Sequence, residues 1–139
     1  MSNAAQFLQL IKHPVKFRLF LLSKLPAAFF CGVRVRFADE KKCVTSVPYK
    51  WLSQNPFRST YFACLSMAAE MSTGVLALAH IYKRQPAVSM LVSKVEGTFL
   101  KKAIGRTRFT CEDGQIIKQT IEDAIISNEG KIVTAKSYG

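Results

Sequence analysis

Between Glu40 and Glu96 the chain carries a single carboxylate, Glu70, set in the middle of a long apolar run. An unpaired carboxylate taken out of water costs several kcal/mol, so such acids are paired or put to use. Burial also lifts a carboxyl toward the range useful for a general base. Two readings stay open on the residues alone. Glu70 is a structural acid bridged to a neighbour such as Arg58 or Lys94, or facing water at a groove; or it is a catalytic base. Thr73 lies on the same helical face, placed to hydrogen-bond a water or the carboxylate. Asn55 stands upstream in a Ser53-Gln54-Asn55-Pro56 stretch that reads as a loop.

Other chemistries find no support. Cys31, Cys43, Cys64 and Cys111 are far apart in sequence, with no C-x-x-C pair and only two His in the chain, so no metal site is expected. Isolated cysteines without a secretion signal read as reduced, buried and cytoplasmic. No Gly-x-Ser-x-Gly occurs, and nothing places His13 or His80 beside Cys64 or Ser66.

The elements that must position Glu70 follow from periodicity. Tyr61 to Tyr82 runs for about six turns, apolar almost all round and rich in small residues, which predicts a helix buried on every side. Ser59 or Thr60 is the expected cap, and Lys83, Arg84 and Pro86 end the helix. Val33 to Phe37 and Cys43 to Val47 alternate around the turn Asp39–Lys42, predicting a hairpin. Val88 to Val95 and Ile104 to Cys111 read as strands, and Lys131 to Tyr138 as a last one. Between them Ile116, Ile117, Thr120, Ile121, Ala124 and Ile125 recur at helical spacing. Strands wrapped on one buried helix make an α+β architecture.

The N-terminus divides at Pro14. Residues 1–13 are expected to be a separate segment, of which 1–4 carry no structural weight, and 14–139 a single domain. Pro14 suits a first helical turn, with Phe17, Phe20, Leu21 and Leu25 at helical spacing beside Lys16, Arg18 and Lys24. This N-terminal helix packs on the domain or, as a basic amphipathic element, touches a membrane. The charges and prolines between Phe7 and Phe30 exclude a secretion signal or membrane span there.

Asn55-Pro56, the helix start Tyr61-Phe62-Ala63, then Glu70 and Thr73 together resemble the signature of the hotdog-fold thioesterases, PaaI-like branch. There an Asn precedes His-Gly-Gly at the start of the central helix, and an Asp or Glu follows two turns on. In this chain those positions are Asn55, Tyr61, Phe62, Ala63 and Glu70. The segment from Asn55 to Gly74 also resembles a hotdog subfamily in which Asn-Pro-Phe and Ala-Ala-Glu recur. The likeness extends over the chain from about Pro14 onward.

The resemblance implies an antiparallel sheet wrapped around one central helix, preceded by an N-terminal helix. It implies an acyl-CoA or acyl-carrier thioester hydrolase, with coenzyme A entering as part of the substrate and no separate cofactor. The backbone N–H groups of Phe62 and Ala63 would polarise the thioester carbonyl. Glu70, contributed across a homodimer interface, would activate water or attack directly, and Asn55 would orient that water. Val88 to Val95 would pair with its two-fold mate, and dimers could pair again into tetramers. Tyr61, Arg58, Lys83, Arg84 and Arg106 are the implied substrate contacts, with Lys101, Lys102 and Arg108 as further partners for coenzyme A phosphates. One more strand after Tyr138 is usual for this type of domain. The alternative within the same fold is a protein that binds acyl-CoA or a fatty acyl chain without turnover.

Charge restricts the partners. Lys and Arg number 20 against 9 Asp and Glu, giving a formal net charge of +11. Such a surface attracts polyanions. Nucleic acid is the less favoured, because the cations are scattered and no helix-turn-helix, zinc finger or aromatic RNA-binding motif is present.

Overall fold

Pro14 and Pro26 divide the stretch up to Cys31 into three helices rather than one. The computed structural model describes residues 1–139. Helix α1 spans Asn3–Lys12, capped by the Ser2 hydroxyl, which accepts from the Ala5 N–H at 3.1 Å. Helix α2 spans Pro14–Lys24, with proline in its first turn and His13 Nδ1 accepting from the Lys16 N–H. Helix α3, Pro26–Cys31, ends on Gly32, whose φ of 83° supplies the left-handed turn that stops it. Phe7, Leu8 and Ile11 of α1 are buried in the same core as the rest of the chain. The boundary at Pro14 is thus a helix start and not the edge of the packed unit.

The hairpin forms as expected. Strands β1, Arg34–Ala38, and β2, Cys43–Val47, pair antiparallel around a turn in which Asp39 Oδ1 accepts from the N–H groups of Lys41 and Lys42. After a short 3-10 turn at Trp51–Ser53 comes helix α4, Phe62–Ile81. Strand β3, Thr107–Cys111, pairs with the other side of β2, so the sheet order is β1-β2-β3. Helix α5, Gly114–Ser127, follows.

Helix α4 lies across the sheet. Leu76 and Ala68 are fully buried, and Thr45 of β2 donates its hydroxyl to the Ala68 carbonyl at 2.6 Å, tying the layers together. By length and composition α4 could cross a membrane. Its buried side, Cys64, Leu65, Ala68, Met71, Ser72, Val75, Leu76, Ala79 and His80, is instead spent on the sheet and on α1 and α5. The expectation of burial on every side fails: Ala63, Ser66, Glu70, Thr73, Gly74 and Ala77 form a half-open stripe along the opposite side. The three strands of the sheet cover one side of the helix.

Two expected strands are missing as sheet members. Residues 86–106 contain no strand, and Leu91, Val95, Leu100 and Ile104 lie open to solvent there. A strand is held by ladder bonds to a neighbour; within one copy residues 86–102 make none, and the segment's backbone link to the rest is the Thr60 N–H on the Ala103 carbonyl. Lys131–Tyr138 reaches the sheet only at its end, where Tyr138 and Thr110 exchange backbone bonds of 3.0 and 2.8 Å.

The cysteines, scattered in sequence, come together as two pairs. Cys31 and Cys64 place their Sγ atoms 3.5 Å apart, and Cys43 lies opposite Cys111 on neighbouring strands. All four are free thiols. Burial pushes Cys43 up to about 12 and, with the Cys31 hydrogen bond, Cys64 up to about 11.

Candidate active site

Residues 55–60 form the loop that delivers the chain into α4, and Asn55 builds it. Its Oδ1 accepts from the Phe57 N–H at 2.9 Å and from both the N–H and the hydroxyl of Ser59 at 3.2 Å. Its amide donates to the Thr60 carbonyl at 3.4 Å. Arg58 takes the tight position with φ of 59°. Asn55 therefore spends its carbonyl oxygen on the loop, and only the other amide hydrogen is left for a water or substrate. Asn55→Ala removes three accepted bonds and is expected to cost about 2 kcal/mol, read as a lower denaturation midpoint at unchanged slope.

The loop hands over to the helix without a side-chain cap. Ser59 bonds Asn55, and Thr60 donates both its N–H and its hydroxyl to the Ala103 carbonyl, at 2.8 and 3.2 Å. Neither caps α4 as expected; the capping position falls to Tyr61, whose side chain makes no cap bond. The Tyr61 carbonyl accepts from Cys64 and Leu65 at 2.9 and 3.2 Å, and the N–H groups of Phe62 and Ala63 reach no acceptor. They are the orphan donors of a helix start, at its positive end.

Beside this helix start lies an open cavity of about 630 Å³, with Phe62 in its lining. Asn55, Phe57, Tyr61, Phe62 and Leu65 line one side, and Phe99, Leu100, Lys101 and Lys102 the other. The lining is apolar with two cations at its edge. Lys102 is anchored there, donating to the Phe57 carbonyl at 3.2 Å. The Tyr61 and Phe62 rings meet edge to face, centroids 5.2 Å apart, and both remain exposed at the mouth.

Glu70 is not in this cavity. It lies eight residues along α4 from Phe62, about 12 Å of helical rise. It forms no salt bridge: Arg58 has no acid partner, and Lys94 pairs with Glu96 at 2.8 Å. The side chain is open on one side, but its carboxylate folds back over Gly74, where a Cβ would stand 3.1 Å from Oε1. The missing side chain of Gly74 makes this room. Desolvation against the helix holds the carboxyl above the usual carboxylate range. Thr73 does not donate to that carboxylate: its hydroxyl bonds the Glu70 backbone carbonyl at 2.8 Å.

The remaining implied contacts scatter. Lys83 and Arg84 lie past the far end of α4, about 30 Å from Phe62. There Lys83 sits over the Tyr82 ring, and Arg84 binds Glu122 at 2.6 Å. Arg106 adjoins the outer face of the sheet. Of the cations that the resemblance implies for coenzyme A phosphates, Lys101 and Lys102 are the ones that line the cavity.

No protein-family model and no curated protein matches the chain. Solved structures do. The structural-genomics protein APC5556 superposes with a TM-score of 0.64 at 16% identity, over 83% of this chain and 77% of that one. The protein PA5026 from Pseudomonas aeruginosa, called a probable thioesterase, gives 0.63 at 20% identity, over 82% and 76%. A Chlorobaculum tepidum protein of unknown function, OLEI01261, gives 0.63 at 17%, over 80% and 69%. The fold is hotdog-like. At these identities the likeness speaks for the architecture: an antiparallel sheet with one long helix against it.

Proposed function

We propose that this protein hydrolyses acyl thioesters of coenzyme A or an acyl carrier, at a site completed by a second copy of the chain. The observation that carries the reading is the division of parts along α4. Two unsatisfied N–H groups sit at its start beside an apolar cavity, and one unpaired carboxylate sits two turns on, along a stripe of small residues. A span of about 12 Å keeps them from acting on one carbonyl within a single copy. Two central helices laid antiparallel along their small-residue stripes would bring the Glu70 of one copy to the helix start of the other. The exposed apolar side chains of residues 91–104 supply surface for the same association.

In such a site the acyl chain lies in the cavity and the thioester oxygen meets the N–H groups of Phe62 and Ala63. Glu70 takes a proton from water, the resulting hydroxide attacks the carbonyl carbon, and the oxyanion is held by those donors. Collapse expels the thiolate, which recovers a proton. Lys101 and Lys102 at the rim suit the phosphates of a carrier.

Incubation of the purified chain with acyl-CoAs of graded length, following thiol release, tests this. Hydrolysis is expected from a species that sedimentation shows to be a dimer or larger. Absence of turnover across the panel overturns the enzymatic reading. Tight binding without product would then favour the acyl-binding alternative, for which the bulky Tyr61 and Phe62 at the mouth speak.

A further inference from the structure

Strand β2 alternates in the ordinary way, and Thr45 points to α4, as its bond to Ala68 shows. Ser46 therefore points to the other face of the sheet. In register across that face stand Arg34 of β1, Ser46 and Arg108 of β3. The β1–β2 pairing slips between Val35 and Phe37, so Arg36 is an extra residue at a bulge. Bulges re-aim side chains. Here the Arg36 Nε donates to the Ser46 hydroxyl at 2.7 Å, laying the guanidinium across the face while Ser46 is fully covered. Arg106, two residues before Arg108, adds a fourth.

None of the four forms a salt bridge. Of the nine acids, Glu40, Glu96, Glu112, Glu122 and Glu129 pair with lysines or with Arg84 elsewhere. Asp39 and Asp113 accept backbone N–H groups, Asp123 accepts from Gln119, and Glu70 stands alone on α4. Arg36 is lowered by desolvation and by repulsion from Arg106, Arg34 and Arg108, in that order. A guanidinium does not shed its proton in a protein, so this repulsion has no internal relief.

We propose that the outer face of the sheet is a binding site for a multiply charged phosphoryl anion, held by Arg34, Arg36, Arg106 and Arg108 around Ser46. Planar forks match phosphate oxygens in pairs, and several forks on a rigid sheet discriminate for a ligand with several phosphoryl groups. The site lies on the side of the sheet turned away from α4, and it stands whether or not the protein hydrolyses thioesters.

Tripolyphosphate is the probe, titrated calorimetrically into the full-length chain, with thermal unfolding in parallel. Wild type is expected to bind and to unfold at a higher temperature with ligand. The R34Q/R108Q double variant is expected to bind at least tenfold more weakly, while unfolding no earlier than wild type without ligand. Arg36→Lys keeps the charge but loses the fork, and is expected to weaken binding less than Arg36→Gln. K101Q/K102Q, at the cavity, tests the competing location and is expected to weaken binding less than R34Q/R108Q. Vesicles bearing a polyphosphoinositide distinguish a lipid-held from a free phosphoryl group, and binding of both supports the site. No binding of tripolyphosphate, equal affinity in R34Q/R108Q, or loss confined to K101Q/K102Q overturns it. So does binding of vesicles or an oligonucleotide alone.

Discussion

Glu70→Gln is expected to lower kcat for acyl-CoA hydrolysis by at least a hundredfold while leaving the fold intact. The amide keeps the size and outline of the side chain, so the contact over Gly74 persists, but it cannot take a proton from water. General-base contributions run about a hundred- to ten-thousandfold. The carboxyl is raised by desolvation, and a base works in its ionised form. Activity should therefore fall as pH drops through a value above the ordinary glutamate range, an acid limb that the Gln variant lacks. Stability moves the other way. A folded-state pKa above the unfolded one means full stability below the unfolded value, lost as pH rises through the folded value. At neutral pH the Gln variant should be at least as stable as wild type, measured by thermal unfolding. Retained turnover in Glu70→Gln, at any pH, removes Glu70 from the chemistry.

The second large effect is expected at the helix start. Phe62 occupies the first position of α4, where its N–H has no partner. Proline is well tolerated there, because the lost N–H is an orphan in any case. Tyr61, with φ of −60° and ψ of 133°, already has the extended conformation that a following proline requires. Phe62→Pro thus deletes one backbone donor with little disturbance of the helix. If that N–H holds the oxyanion, kcat should fall about a hundred- to a thousandfold, the loss typical of one removed donor. Phe62→Ala, which trims the ring and keeps the N–H, separates the two contributions. It should alter KM through the acyl cavity and largely spare kcat. Equal kcat in Phe62→Pro and Phe62→Ala would show that the donor lies elsewhere.

The two variants examine opposite halves of one arrangement. An additional experiment follows from their separation along α4: mixing Glu70→Gln with Phe62→Pro should restore part of the activity, because a mixed dimer contains one site with both wild-type parts.

The sequence alone determined the elements whose stability is local or periodic. The hairpin Val33–Val47, helix α5 and the long helix carrying Glu70 were all legible, because alternation, helical spacing and turn residues act over a few positions. It also picked out Glu70 by composition, as a charge among apolar neighbours. The tertiary structure decided what depends on partners distant in the chain. Asn55 proved to be committed to its own loop, a matter of which N–H groups come within reach. Helix α4 proved half open, since three strands cover one side only. Residues 88–95 carry strand-like alternation but gain a ladder only from a neighbour, and one copy provides none. The cysteine pairs, the cavity between residues 55–62 and 99–103, and the four arginines around Ser46 exist only once register is set. A one-residue bulge at Arg36 brings that cluster together, and bulges leave no mark in periodicity.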